Sequence, residues 1–156
     1  MKIAEVLNAK AISADLKSQT KVDVIDELVG LLIQSGSIEK RNKGKIIEVL
    51  MAREALGSTA IGQGIAIPHG KSDCVKKLVG SIGVSKKGIK FDSLDGEPAY
   101  IFFLLLAPID SAGPHLKALS RISRLLKDKY FRENLKNLKD EKTILKLISQ
   151  EDVRVL

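Results

Sequence analysis

Tyr100-Ile101-Phe102-Phe103-Leu104-Leu105-Leu106-Ala107 is a run of eight residues with no charge and, after Tyr100, no polar side chain. A strand with one wet face alternates apolar and polar residues. A strand that is apolar at every position has both faces covered. Extended by its neighbours to residues 99–108, this is the longest apolar run in the chain. It is far shorter than the roughly 20 residues a bilayer span needs.

The elements around it follow from period and punctuation. Residues 79–85 alternate loosely and read as a strand, with a turn at Lys86-Lys87-Gly88 and a short return strand over 89–91. Residues 92–96 form a loop with an Asp-Gly turn. Residues 65–67 make a third, short strand. Residues 20–35 read as a helix with Thr20 as its cap and Asp23 in its first turn, and with Val22, Ile25, Leu28, Val29 and Leu32 at helical spacing. Gly36 ends it. A second helix spans about 42–53, with Ile46, Ile47 and Leu50 inward. A third begins near Pro114, which suits a first helical turn, and carries Leu116, Leu119, Ile122, Leu125 and Leu126 to about residue 127. Two more cover about 129–138 and 141–150. Strands with helices before and after them predict an α/β fold. We expect a single layered domain over residues 1–156, with a mixed β-sheet flanked by helices on both faces.

Composition narrows the class. The chain is 44% hydrophobic and 29% charged, with no Trp and 4% aromatics, so its core is aliphatic. The first 21 residues alternate charged and apolar side chains and lack the shape of a signal peptide. With Cys74 as the one cysteine there is no internal disulfide, which suits a cytoplasmic location, and two His with one Cys make no structural zinc site. Residues 113–156 hold eleven Lys/Arg against six Asp/Glu. This reads as a solvated helical surface rather than a nucleic-acid interface, because aromatic platforms and known binding motifs are missing.

The chemistry sits in Gly57-Ser58-Thr59-Ala60-Ile61-Gly62-Gln63-Gly64-Ile65-Ala66-Ile67-Pro68-His69-Gly70-Lys71. Gly57 and Gly62 have the spacing of a phosphate-binding P-loop, but Gln63-Gly64 stand where Lys-Ser/Thr belong. Gly62 and Gly64 begin a dinucleotide fingerprint, but Ile67 holds the third glycine position. His69 follows a strand that Pro68 ends, and His115 follows the central strand and opens a helix. If those strands run parallel, both imidazoles lie at the carboxyl edge where open α/β sheets place ligands. The helix N-terminus there favours an anion, and Arg53 and Lys71 add positive charge. Arg53 also suits a helix C-terminus, where a cation is favoured. This combination points to an anion held transiently on an imidazole: phosphoryl transfer to histidine.

The stretch from Arg53-Glu54-Ala55-Leu56 through Gly57 to Lys71, with Phe91-Asp92-Ser93-Leu94-Asp95-Gly96-Glu97-Pro98, the apolar strand, Pro108 and His115-Leu116, resembles the second type of IIA domain of the bacterial phosphoenolpyruvate:sugar phosphotransferase system. That is the fructose/mannitol family, which includes the nitrogen-regulatory IIA proteins. The resemblance implies a phosphotransferase component that takes a phosphoryl group on His69 from HPr or its nitrogen-branch paralogue. His115 and Arg53 would support the transfer. The residues expected to bind are Gly62, Gly64, Gly70 and Lys71. The group would pass to a IIB cysteine or, in a nitrogen-regulatory protein, would control binding to a regulatory partner. Donor and acceptor are both imidazoles, so neither cofactor nor metal is implied. No nucleic-acid partner and no insertion into the membrane are expected.

Overall fold

A computed structural model of the chain describes residues 2–154. It contains the helices α1 (Lys21–Gln34), α2 (Lys43–Ala55), α3 (Ala112–Leu125), α4 (Lys129–Asn137) and α5 (Glu141–Arg154). They cover a six-stranded sheet of β1 (Leu7–Ser13), β2 (Ala60–Gly62), β3 (Ile65–Ala66), β4 (His69–Lys71), β5 (Val79–Ile89) and β6 (Ala99–Ala107). No helix among the described residues is long and apolar enough to cross a membrane.

The apolar run lies at the centre of the sheet, in the order β1-β5-β6-β3-β2. Successive strand residues face opposite sides, and β6 divides accordingly. Phe102, Leu104 and Leu106 pack with the α1 and α2 residues Ile25, Leu28, Ile46 and Leu50. Ile101, Phe103 and Leu105 pack with Ala118, Ile122, Phe131, Leu135, Ile144 and Ile148 from α3, α4 and α5. Ile101 through Leu106 are each no more than 1% exposed. Burying a side chain of this size stabilises by about 1.5–3 kcal/mol, so this one strand carries much of the core. The sheet is mixed and covered on both faces, as its sequence predicts: β5 is antiparallel to β6, while β3 and β4 are parallel to it.

Four local readings change. Residues 79–89 are one strand, not a strand, turn and return. The ladder with β6 shifts register between Val84 and Ile89, and Gly88 takes φ 83° within that irregularity. The two lysines do not mark a turn, because Lys86 reaches across to the end of α4 and donates to the carbonyls of Lys136 at 2.7 Å and Leu138 at 3.0 Å. Residues 7–13 form β1, which sequence period does not reveal. It is an edge strand; Asn8 and Lys10 alternate with Leu7, Ala9 and Ala11, but the pattern is short, rests on small alanines and ends where Ala11 and Ile12 are both buried. α3 starts at Ala112, ahead of Pro114. Val22 and Leu116, read as inward, are 53% and 69% exposed.

The site is positioned by β3 and β4. They lie end to end along β6, with Ile65 and Ala66 beside Ile101 and Phe102, and His69 beside Leu105. Pro68, which has no N–H to give to a ladder, occupies the gap, and its carbonyl accepts from Leu105 N–H at 2.9 Å. A Cβ on Gly70 would meet Val49 Cγ1 at 2.8 Å, so glycine is what lets α2 pack this close to β4.

Candidate functional site

Because β4 and β6 are parallel, their carboxyl ends share one edge of the sheet, and α3 starts there. His69 stands on β4 itself rather than in a loop. His115 is in the first turn of α3. The rings meet edge-on, with centroids 5.5 Å apart and planes at 68°. They open into a groove of about 570 Å³ that is also lined by Val49, Ala52, Arg53, Leu56, Gly70 and Lys71.

The ring of His69 has a defined tautomer. Nδ1 lies 2.7 Å from the carbonyl oxygen of Ile67, which can only accept. Nδ1 therefore carries the proton, and the lone pair is on Nε2. Burial pushes the His69 pKa below the usual imidazole value; the Ile67 bond opposes this and the Arg53 charge adds to it. The imidazole is thus neutral and nucleophilic near neutral pH. His115 is also pushed down, first by burial and then by the charges of His69 and Lys71. It is 7% exposed, and its Nε2 is buried without a hydrogen-bond partner. Leaving such an atom unpaired costs about 1–3 kcal/mol. An anion held on His69 would supply the missing partner.

Arg53 sits in the last turn of α2 and donates from Nη1 to the carbonyl of Gly57 at 2.8 Å. It thus does both things its position suggests: it closes the helix end and it lines the groove. No side chain caps the first turn of α3 and no acid lies in it, so its N-terminal N–H groups carry no side-chain acceptor of their own. Two cations and two imidazoles converge on one groove whose lining includes no acid. Such a place stabilises an added anion and supplies a neutral nitrogen nucleophile beside it.

Gly70 and Lys71 lie where the sequence places them. Gly62 and Gly64 do not: they flank the β2–β3 turn and do not line the groove. The turn runs through Gly62 at φ 102°, Gln63 at 58° and Gly64 at 79°, and Gln63 N–H donates to Asp95 at 3.0 Å. These glycines serve backbone conformation, because left-handed φ values are costly for other residues. Sequence reading also misses Glu54, a buried carboxylate at the end of α2. The signal was present. Glu54 stands four positions after Leu50 and eight after Ile46, on the inward stripe, where a charge needs partners.

Comparison with known proteins comes to the same place. The family described as "Phosphoenolpyruvate-dependent sugar phosphotransferase system, EIIA 2" matches residues 5–151. The chain is 40% identical over 97% of its length to the fructose-specific EIIABC component of Bacillus subtilis, and spans 24% of that longer protein. It is 37% identical to the nitrogen regulatory protein of Bradyrhizobium diazoefficiens, covering 96% of this chain and 95% of the relative. Among solved structures, the nitrogen regulatory protein IIA-Ntr of Neisseria meningitidis superposes with a TM-score of 0.85 at 33% identity, covering 94% of this chain and 98% of that one.

Proposed function

The chain belongs to the EIIA 2 family of the phosphoenolpyruvate-dependent sugar phosphotransferase system, and from that premise we propose that it is a phosphocarrier whose acceptor is Nε2 of His69. The observation that carries this is the bond from Nδ1–H to Ile67, which leaves the Nε2 lone pair free beside His115 and Arg53. In the reaction, Nε2 attacks the phosphorus of a phosphohistidine on an HPr-like donor. A P–N bond forms at His69 as the donor's N–P bond breaks, and the donor imidazole leaves with the electron pair. Charge on the transferring group spreads over its three outer oxygens, so catalysis is positioning and electrostatics. Arg53, Lys71 and His115 are the groups suited to that charge. The step needs no proton from a third group, because the two imidazoles are chemically alike.

The test is incubation with phosphoenolpyruvate, the first enzyme of the system and HPr, followed by intact mass. Wild type gains one acid-labile phosphoryl group and His69→Ala gains none. Labelling of His69→Ala to the wild-type extent would remove the central claim. A regulatory role is the second reading, favoured by near-full-length similarity to nitrogen regulatory proteins. Mixing the phosphorylated chain with a fructose-type IIB domain separates the two. A transport component loses its phosphoryl group to the IIB cysteine, whereas a regulator retains it.

A further inference from the structure

Glu54 lies on the buried face of α2, 6% exposed, and the transfer step described above does not use it. Its carboxylate has three donors. Lys21 Nζ and Thr59 N–H each reach Oε1 at 3.2 Å, and the Thr59 hydroxyl donates to Oε2. Thr59 is itself 4% exposed. Its carbonyl accepts Ile67 N–H at 3.0 Å, and the Ile67 carbonyl accepts Nδ1–H of His69 at 2.7 Å. Hydrogen bonds and the backbones of Thr59 and Ile67 thus run without a gap from the carboxylate to the imidazole.

We propose that Glu54, acting through Thr59 and Ile67, is a positioning residue that holds the His69 ring in its Nδ1–H tautomer and turns Nε2 into the groove. The proposal rests on the reading of His69 as the phosphoryl acceptor. Its physical basis is the break between β3 and β4. The peptide that carries the Ile67 carbonyl ends at Pro68 and has no N–H of its own, so its plane is held only from its two sides. Downstream, the Pro68 carbonyl is tied to β6. Upstream, Ile67 N–H is tied to Thr59, and Thr59 is fixed from two directions by Glu54. Lys21 anchors the far end, because it also pairs with Asp92 at 3.2 Å and lies 4.7 Å from the centroid of Phe91. Without Glu54, the Thr59 hydroxyl and amide would have no common acceptor, and the carbonyl that selects the tautomer would be free to tilt.

The experiment reads the ring directly, by NMR of the full chain with ¹⁵N-labelled histidine, beside the phosphoryl-transfer rate. Wild-type His69 shows the Nδ1–H pattern at neutral pH. Glu54→Gln and Thr59→Val show a mixed tautomer population and transfer about tenfold more slowly, the lower end of what outer partners of functional histidines contribute. Thr59→Ser keeps the hydroxyl and behaves as wild type. Folded Glu54→Gln and Thr59→Val with the wild-type tautomer would overturn the proposal, and so would Thr59→Ser failing as Thr59→Val does. If Glu54→Gln does not fold, the two Thr59 variants decide alone. The tautomer is read without any donor protein. An ordered Nδ1–H ring that accepts no phosphoryl group would therefore sink the carrier reading and leave the positioning role standing.

Discussion

His69 and His115 are chemically identical side chains held in different ways, and the difference assigns their tasks. His69 has one nitrogen fixed on a carbonyl and the other open to the groove; His115 has a buried nitrogen with no partner. His115 lines the groove edge-on to His69, which fits a ligand-facing role. His115→Gln should slow phosphoryl transfer by about 10²–10³, the usual loss when one well-placed donor to a charged transition state is removed. Its unfolding midpoint should stay near wild type. A variant that melts much earlier yet transfers normally per folded molecule would return His115 to the core. Both imidazoles also titrate below the ordinary value of about 6.5. The unfolded chain takes up protons as pH falls through 6.5 while the folded chain does not yet do so. Stability is therefore complete above that value and declines below it, toward the lowered folded pKa values. Thermal midpoints measured from pH 7.5 down to 5 should fall, and fall less in His115→Gln; a flat profile in wild type would contradict the lowered values.

Among the elements, legibility in sequence tracks how far each one is specified by its own residues. The continuous apolar run read as a doubly covered strand because no other environment accepts it. The helices read from their stripes, and the shared edge of the two histidines followed once β4 and β6 were parallel. β1 was hidden because its alternation is weak, with alanines at 9 and 11 and with Ala11 and Ile12 buried side by side. Residues 86–88 misread because a lysine pair with glycine looks like a turn, whereas Lys86 is occupied in closing α4 and Gly88 in a ladder irregularity. At Gly62 and Gly64 the sequence alone leaves two roles open, because left-handed backbone and ligand approach call for the same residue. Gly88 makes this testable. A Cβ there would meet Tyr100 Cε1 at 2.8 Å on a backbone with φ 83°. Gly88→Ala should cost about 1–3 kcal/mol in a denaturant melt, with transfer per folded molecule unchanged. A neutral melt would mean that the irregularity in β5 relaxes freely.

At the scale of the whole molecule, the basic C-terminal third is explained in part by the joints it closes. Arg132 donates from Nη1 to the carbonyls of Leu126 and Lys127 just past the end of α3, at 2.9 and 2.7 Å. Lys136 lies 4.4 Å from the centroid of Tyr100, and Arg154 pairs with Asp128 and Glu151. The deepest joint is Asp152, 1% exposed, which accepts Ile3 N–H at 2.7 Å and Arg121 Nε at 2.6 Å. It fastens the N-terminal residues and α3 to α5, on the sheet face opposite α1 and α2. Removing one partner of a buried pair strands the other, which costs about 3–5 kcal/mol when neither can reach water. The Arg121 side chain is 16% exposed and can hydrate in part, so Asp152→Ala should lose about 2–3 kcal/mol. Asp152→Asn, which still accepts from Ile3, should lose less. Neither change should alter transfer per folded molecule. Ala118 and Ile122 hold α3 on the sheet through the core, independently of the bond from Arg121 to α5. Denaturant midpoints and single-turnover transfer measured on the same samples decide the matter. Transfer that collapses while stability holds would place Asp152 in control of His115 and make the joint part of the site.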